Sequence, residues 1–133
     1  MRFYTFARLY GNQILVRGWD DKKGGYFKDK VEFKPTLFIP AKKKTEYKTL
    51  DGKYVSPIQP GTLRECREFV DQYSGVSGTQ IYGFERYLFQ FLSEQYPDEI
   101  DYDMDKIKLW SLDIETTAEN GFPKPELAQE EIL

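Results

Sequence analysis

Two acidic residues, Asp113 and Glu115, stand at the end of an almost continuously apolar stretch, residues 107–114. Alternate side chains of a β-strand point to the same face, so a strand here would present both carboxylates together while Ile114 points into the core. Two neighbouring carboxylates repel each other, and a hard divalent cation such as Mg²⁺ relieves that repulsion. The pair could therefore form part of a two-metal centre of the kind that nucleases use.

The acid-x-acid spacing by itself is weak evidence, because 22 of the 133 residues are Asp or Glu. The spacing recurs at Asp101, Asp103 and Asp105, in an acidic stretch typical of a solvated linker. The chain has no histidine and one cysteine, which excludes most zinc sites, serine triads and imidazole acid–base chemistry. The apolar strand predicted before Asp113 is what distinguishes this pair from the others.

The elements expected upstream are antiparallel strands followed by two helices. Residues 3–10 and 13–19 flank a Gly-Asn step that favours a tight hairpin, and residues 27–34 alternate apolar and charged side chains. With a short strand at residues 36–39, the first forty residues are predicted to form a β-meander, and residues 42–60 a polar loop that ends before the first helix.

Two amphipathic helices and a short strand complete the predicted first domain. Thr62 and Glu65 form a capping box for the first helix, in which Cys66 lies on the apolar stripe as a core residue. A short β run at residues 79–82 precedes a second helix at residues 84–96. The sequence therefore predicts an α+β fold, with a domain boundary near Asp105.

Positive charge is concentrated in the first half of the chain. Residues 1–60 contain 13 Lys and Arg against 6 Asp and Glu, whereas residues 61–133 contain 6 against 16. A basic surface of this kind could follow a phosphate backbone, although two solvated faces would give the same composition. The candidate phosphate contacts lie on the predicted third strand and in the loop beyond it: Lys28, Lys30, Lys34, Lys42, Lys43 and Lys44.

The composition is that of a soluble globular protein, with 40% hydrophobic and 31% charged residues. No apolar run approaches the roughly 18 residues of a membrane helix, and no apolar signal core follows the first methionine. We therefore expect no membrane partner and a cytoplasmic location.

Three segments resemble family B DNA polymerases. Residues 109–117, LWSLDIETT, resemble the first exonuclease motif of that family, an apolar strand ending in Asp-Ile-Glu. Residues 33–38, FKPTLF, and the order of strands and helices around them resemble the family's N-terminal domain. Residues 121–125, GFPKP, are similar to the aromatic-proline step that follows the motif in the tailed-phage branch.

The resemblance implies a fold and an activity. Residues 1–105 would be the N-terminal α+β domain, and residues 106–133 the truncated start of an RNase H-like 3′–5′ exonuclease domain. Asp113 and Glu115 would be two of four carboxylate ligands for Mg²⁺ or Mn²⁺. Phe122 would either stack on the unpaired primer end or pack, as a loop aromatic, on its own domain. The parent protein would be a proofreading DNA-directed DNA polymerase of viral DNA replication, located in the host cytoplasm if phage-encoded.

The same resemblance implies the partners of the chain. These are template and primer DNA, and the remainder of the polymerase in the same chain or as a separate subunit. With half of a metal site, the chain alone is predicted to be inactive and to bind no metal. Two alternatives remain open: a nucleic-acid-binding module for template DNA or messenger RNA without catalysis, and an unrelated small α+β protein in which Asp-x-Glu is coincidental.

Overall fold

The computed structural model describes residues 1–83, 85–115 and 121 of the chain. It divides into two units, Met1–Asp103 and Met104–Leu133. The strands and α-helices of the described residues lie in the first unit, and a 3₁₀ turn, Met104–Lys106, lies in the second. The architecture is the predicted α+β class, with two antiparallel sheets and two helices. Within the described ranges, no helix is long and apolar enough to cross a membrane.

The first sheet is a three-stranded antiparallel meander. Its strands, in spatial order, are β1 (Arg2–Tyr10), β2 (Gln13–Asp20) and β3 (Gly25–Val31). The turn between β1 and β2 confirms the predicted hairpin, since Gly11 has a φ of 60°, which glycine adopts without a Cβ clash. β3 begins two residues earlier than predicted and ends at Val31, yet Phe33 beyond it is still buried.

A bulge in β1 brings two backbones into close contact. The register between β1 and β2 shifts between Tyr4 and Phe6. A Cβ atom on Gly18 would overlap the backbone oxygen of Phe3 and lie 2.7 Å from the Cα of Tyr4. Gly18 is therefore required by space, because any larger residue would push β1 and β2 apart.

The second sheet corrects the prediction for residues 36–60. The expected short strand is β4 (Leu37–Pro40), but it pairs with β6 (Tyr54–Ile58), with β5 (Tyr47–Lys48) on the far side of β6. β4 therefore does not extend the first meander, and the predicted loop contains two strands. β6 was not predicted because it contains Pro57, and proline, which lacks a backbone donor, is unusual within a strand. β5 was not predicted because its two residues are too few to show an alternating pattern. The strand predicted at residues 79–82 is reduced to a bridge between Tyr82 and Phe38.

Two helices close the core of the first unit. α1 (Leu63–Tyr73) begins as predicted, with the Thr62 hydroxyl accepting a hydrogen bond from the Glu65 N–H at 3.4 Å. α2 (Tyr87–Gln95) is shorter than predicted, and Phe84 lies outside the described residues. The main buried cluster comes from β2, β4, both helices and the segment after β3: Ile14, Val16, Phe33, Leu37, Leu63, Cys66, Tyr87 and Phe91.

Cys66 is a core residue, as predicted. Its side chain is fully buried, and desolvation raises the pKa of its thiol. The thiol therefore stays protonated at neutral pH, which is the behaviour of a small packing residue rather than of a nucleophile.

A glutamine on α2 connects the helix to the chain entering β4. The Thr36 N–H donates to Gln90 Oε1 at 2.8 Å, and Gln90 Nε2 donates to the Thr36 carbonyl at 2.8 Å. The side-chain amide thus satisfies both backbone groups of Thr36 in the way that a neighbouring strand would.

The acidic linker is anchored by aromatic side chains rather than fully solvated. Tyr102 packs against Phe3 with ring centroids 5.2 Å apart, and Tyr96 packs against Tyr4 at 5.5 Å. Desolvation raises the pKa of Tyr102 to about 12. The linker therefore contributes packing to the first sheet as well as negative charge.

The apolar stretch expected to be a buried strand has no regular secondary structure. Residues 107–115 are all described, and Leu109, Trp110 and Leu112 are 82%, 91% and 85% exposed. A central strand needs neighbours on both sides to pair its N–H and C=O groups, and the described residues of the second unit supply no strand. The predicted burial is therefore not realised in the described part of this chain.

Candidate functional site

The carboxylates singled out by the sequence follow this exposed stretch. Asp113 and Glu115 are both exposed, and Phe122 lies outside the described residues. Among the residues that are described, no group of three or more potential metal-ligating side chains comes together. Mg²⁺ favours octahedral oxygen coordination, so two carboxylates suit its chemistry but do not form a complete site. These two residues alone do not form a hydrolytic centre.

The candidate lysines belong to two different sheets. Lys28 and Lys30 are exposed on β3 of the first sheet. Lys34 follows β3 and, with Tyr10, lines a cavity of about 410 Å³ beside the β1–β2 turn. Lys42, Lys43 and Lys44 are exposed in the loop that joins β4 to β5 in the second sheet.

Cross-strand register places two of the lysines beside two arginines on the first sheet. Arg17 of β2 is paired with Phe6 of β1 on one side and with Lys28 of β3 on the other, and these three residues form one row across the sheet. Leu15, two residues earlier on β2, is paired in the same way with Arg8 and Lys30 and forms a second row. Directly paired residues of antiparallel strands share a face, and residues two apart along a strand do so too. The result is a surface that we call the basic–aromatic face, formed by Phe6, Arg8, Tyr10, Arg17, Lys28 and Lys30.

Aromatic rings and cations contact each other across the basic–aromatic face. The Arg17 guanidinium lies 5.7 Å from the centroid of the Phe6 ring. Arg8 lies 5.4 Å and Lys30 4.9 Å from the centroid of the Tyr10 ring. Phe6 and Tyr10 nevertheless remain 43% and 46% exposed. The rings therefore have both an accessible surface and positive charge beside them.

The cations of this face are not neutralised by the described part of the chain. Arg8, Arg17, Lys28 and Lys30 form no ion pair with a described residue. The acidic residues of the same sheet are paired elsewhere, Asp20 with Arg2 and Asp29 with Lys23. The basic–aromatic face therefore presents a local positive charge on a chain whose formal net charge is −3.

A buried leucine beneath the basic–aromatic face accounts for part of the arrangement of its cations. Leu15 points to the same face, between Arg8 and Lys30, and is only 6% exposed. Long cationic side chains can cover an apolar residue with their methylene stems while the charged ends stay in water. The face is thus both a cover for Leu15 and an open charged surface.

Lys28 and Lys30 were predicted from the sequence as binding residues, whereas the other four members of the face were missed. The signal was available, because Phe6, Arg8 and Tyr10 are spaced two apart, as side chains on one face of a strand must be. The Gly11-Asn12 turn then fixes the register that brings β2, and with it Arg17, alongside. Strand propensity alone does not indicate which side chains of different strands share a surface.

Comparison with known proteins supports the resemblance. No family model matches the chain. The chain is 29% identical over 130 residues to the DNA-directed DNA polymerase of Enterobacteria phage T4, and 30% identical over 132 residues to that of Escherichia phage RB69. Each alignment covers 98% of this chain, which spans about 14% of the length of each relative. The predicted resemblance to phage DNA-directed DNA polymerases is therefore confirmed.

Proposed function

We propose that the chain is the N-terminal part of a proofreading DNA-directed DNA polymerase that replicates viral DNA in the host cytoplasm. The observation that supports this is the similarity along 98% of the chain to two phage proteins of that name. Because the chain spans about 14% of each relative, nucleotide addition would depend on residues outside it.

In this proposal, Asp113 and Glu115 contribute two carboxylates to a Mg²⁺- or Mn²⁺-dependent 3′–5′ exonuclease. The exposed apolar stretch before them supports the assignment, because Leu109, Trp110 and Leu112 are the side chains that a sheet strand would bury. The remainder of the polymerase, in the same chain or as a separate subunit, would supply the neighbouring strands and the other ligands. Alone, this chain is expected to have neither exonuclease nor polymerase activity.

The proposal is tested by removing both carboxylates from the complete polymerase. Asp113→Ala with Glu115→Ala should abolish degradation of a single-stranded primer end while leaving primer extension nearly unchanged. The matched control is Asp101→Ala with Asp103→Ala, which removes an acid-x-acid pair from the linker and should leave both activities intact. Equal loss of extension and degradation in the Asp113/Glu115 variant would contradict the assignment and indicate a structural role.

A second candidate is a nucleic-acid-binding module that acts without catalysis on template DNA or messenger RNA. The cations of the basic–aromatic face favour it, because they form no ion pair with a described residue. Both candidates require nucleic-acid binding, but only the first requires that the protein containing this chain extends a primer. If the protein containing this chain extended no primer yet the chain bound single strands, the second candidate would replace the first.

A further inference from the structure

We infer that the basic–aromatic face binds single-stranded nucleic acid by stacking bases on Phe6 and Tyr10, with the four neighbouring cations contacting the phosphates. The inference rests on the proposed function and adds to it the surface and the form of the ligand. Neither ring was a candidate in the sequence, and neither Asp113 nor Glu115 takes part.

The two rings have the exposure and spacing of a stacking surface. Phe6 and Tyr10 lie on one face of β1, four residues apart, which corresponds to roughly 14 Å along a strand. Each leaves close to half of its surface open to solvent. Proteins that bind single strands use aromatic side chains in this way, since every base has a π-face and the contact tolerates any sequence.

The cations lie beside the two rings, so a base stacked on either ring would bring its phosphates close to positive charge. Arg17, Arg8 and Lys30 each have their charged group within 6 Å of a ring centroid. Lys28 pairs with Arg17 in the same row as Phe6. None of the four gives up an intramolecular ion pair with a described residue when a phosphate arrives, so binding costs no broken salt bridge there.

The arrangement favours a single strand over a duplex. Bases in a duplex are stacked on one another and cannot offer their faces to a flat protein surface, whereas single-stranded bases can be splayed onto aromatic rings. A duplex could use only the cations of this face. Stacking and charge would therefore act together only on unpaired nucleotides.

The competing explanation is that the side chains of the basic–aromatic face, rings and cations alike, only cover the apolar surface around Leu15. It predicts that the rings contribute to stability and not to binding. Phe6→Leu with Tyr10→Leu separates the two, because leucine still covers an apolar neighbour but has no π-face. This variant also protects the experiment against the loss of folding that a double alanine variant could cause.

The experiment measures binding of the 133-residue chain to labelled 15-nucleotide oligo(dT), oligo(U) and a duplex of the same length by fluorescence anisotropy. Wild-type chain should bind a single strand more tightly than the duplex. Phe6→Leu with Tyr10→Leu should weaken single-strand binding about tenfold or more and leave duplex binding nearly unchanged. Phe89, an aromatic residue of similar exposure on α2, provides the matched control, and Phe89→Leu should not weaken binding.

Charge is tested on the same ligands across a salt series. Arg8→Ala with Arg17→Ala should reduce the log–log salt slope by about 1.4, because each phosphate that an arginine neutralises on a single strand adds about 0.7 to the slope. Arg64→Ala with Arg67→Ala removes the same charge from the exposed surface of α1 and should leave the slope unchanged. Charge reversal of Lys42, Lys43 and Lys44 tests the loop of the second sheet separately and should have the smaller effect.

Three results would overturn the inference: no single-strand binding by the wild-type chain, equal affinity in the Phe6/Tyr10 and Phe89 variants, or tighter binding of the duplex. The oligo(dT) and oligo(U) arms distinguish DNA from RNA as the strand that the face binds more tightly. The polymerase proposal is tested by primer extension and degradation in the complete protein, so either proposal can fail while the other stands.

Discussion

Replacement of Gln90 by alanine should destabilise the first unit out of proportion to its position near the surface. The side-chain amide makes two hydrogen bonds of 2.8 Å to the backbone of Thr36, one as acceptor and one as donor. A typical hydrogen bond contributes about 1 kcal/mol net, and a partner left unsatisfied in a buried place costs about 1–3 kcal/mol. Thr36 is only partly buried, so water can reach it, and we expect a decrease of about 2 kcal/mol in the free energy of unfolding.

The assay is urea unfolding followed by circular dichroism, with Gln95→Ala as the matched control. Gln95 lies on the same helix and is exposed, and the one hydrogen bond of its side chain to a described residue is accepted from the Arg2 side chain at 3.1 Å. Both variants replace glutamine by alanine on the same helix, and the change in helix propensity is only a few tenths of a kcal/mol, so the larger difference between them reports the hydrogen bonds to Thr36. With an m-value of about 2 kcal/mol/M, the urea midpoint of Gln90→Ala should fall about 1 M below that of Gln95→Ala.

A graded variant sharpens the result. Gln90→Glu keeps an acceptor for the Thr36 N–H but removes the donor for the Thr36 carbonyl, so it should cost at least half as much as the alanine variant. Equal midpoints for Gln90→Ala and Gln95→Ala would refute the reasoning. They would show that β4 is held against α2 by apolar packing alone.

Two further predictions concern the first sheet. Gly18→Ala should lower the urea midpoint more than Gly11→Ala. A Cβ atom at Gly18 would meet the backbone of β1, whereas a Cβ atom at Gly11 would have nothing within 4 Å. An equal effect of the two changes would show that the bulge in β1 can shift to make room. The pKa of Tyr102 is raised from 10.0 to about 12, so the folded state holds a proton that the unfolded state releases, and stability should fall as pH rises from about 10 to 12. Tyr102→Phe should reduce that fall in thermal unfolding measured across the same pH range, and an unchanged pH dependence would assign the fall to other groups.

Local signals in the sequence were sufficient for the hairpin, the start of α1 and much of the core. Gly11-Asn12 specifies a turn, Thr62 specifies a helix cap, and the apolar stripe that contains Cys66 specifies which side of α1 is buried. Each of these features is decided by residues within one or two turns of each other. They can therefore be predicted without knowing the rest of the fold.

Features that depend on distant partners were not predicted. β4 pairs with β6, about 20 residues later, and no local pattern indicates that choice. The basic–aromatic face depends on the register between three strands, so its six residues are scattered between positions 6 and 30 in the sequence. The apolar pattern of residues 107–114 indicates side chains that favour burial. It does not indicate whether neighbouring strands are present to bury them.

The buried cluster of the first unit has a consequence for how the protein is made. Every member lies between Ile14 and Phe91, so the cluster is fully synthesised before the exposed apolar residues Leu109, Trp110 and Leu112 are added. Ribosomes add about 5–20 residues per second, and domains generally fold as units from the N-terminus. The first unit can therefore fold while the chain is still growing, and the later apolar stretch is added after the residues of the core are complete, so it does not compete with them for burial.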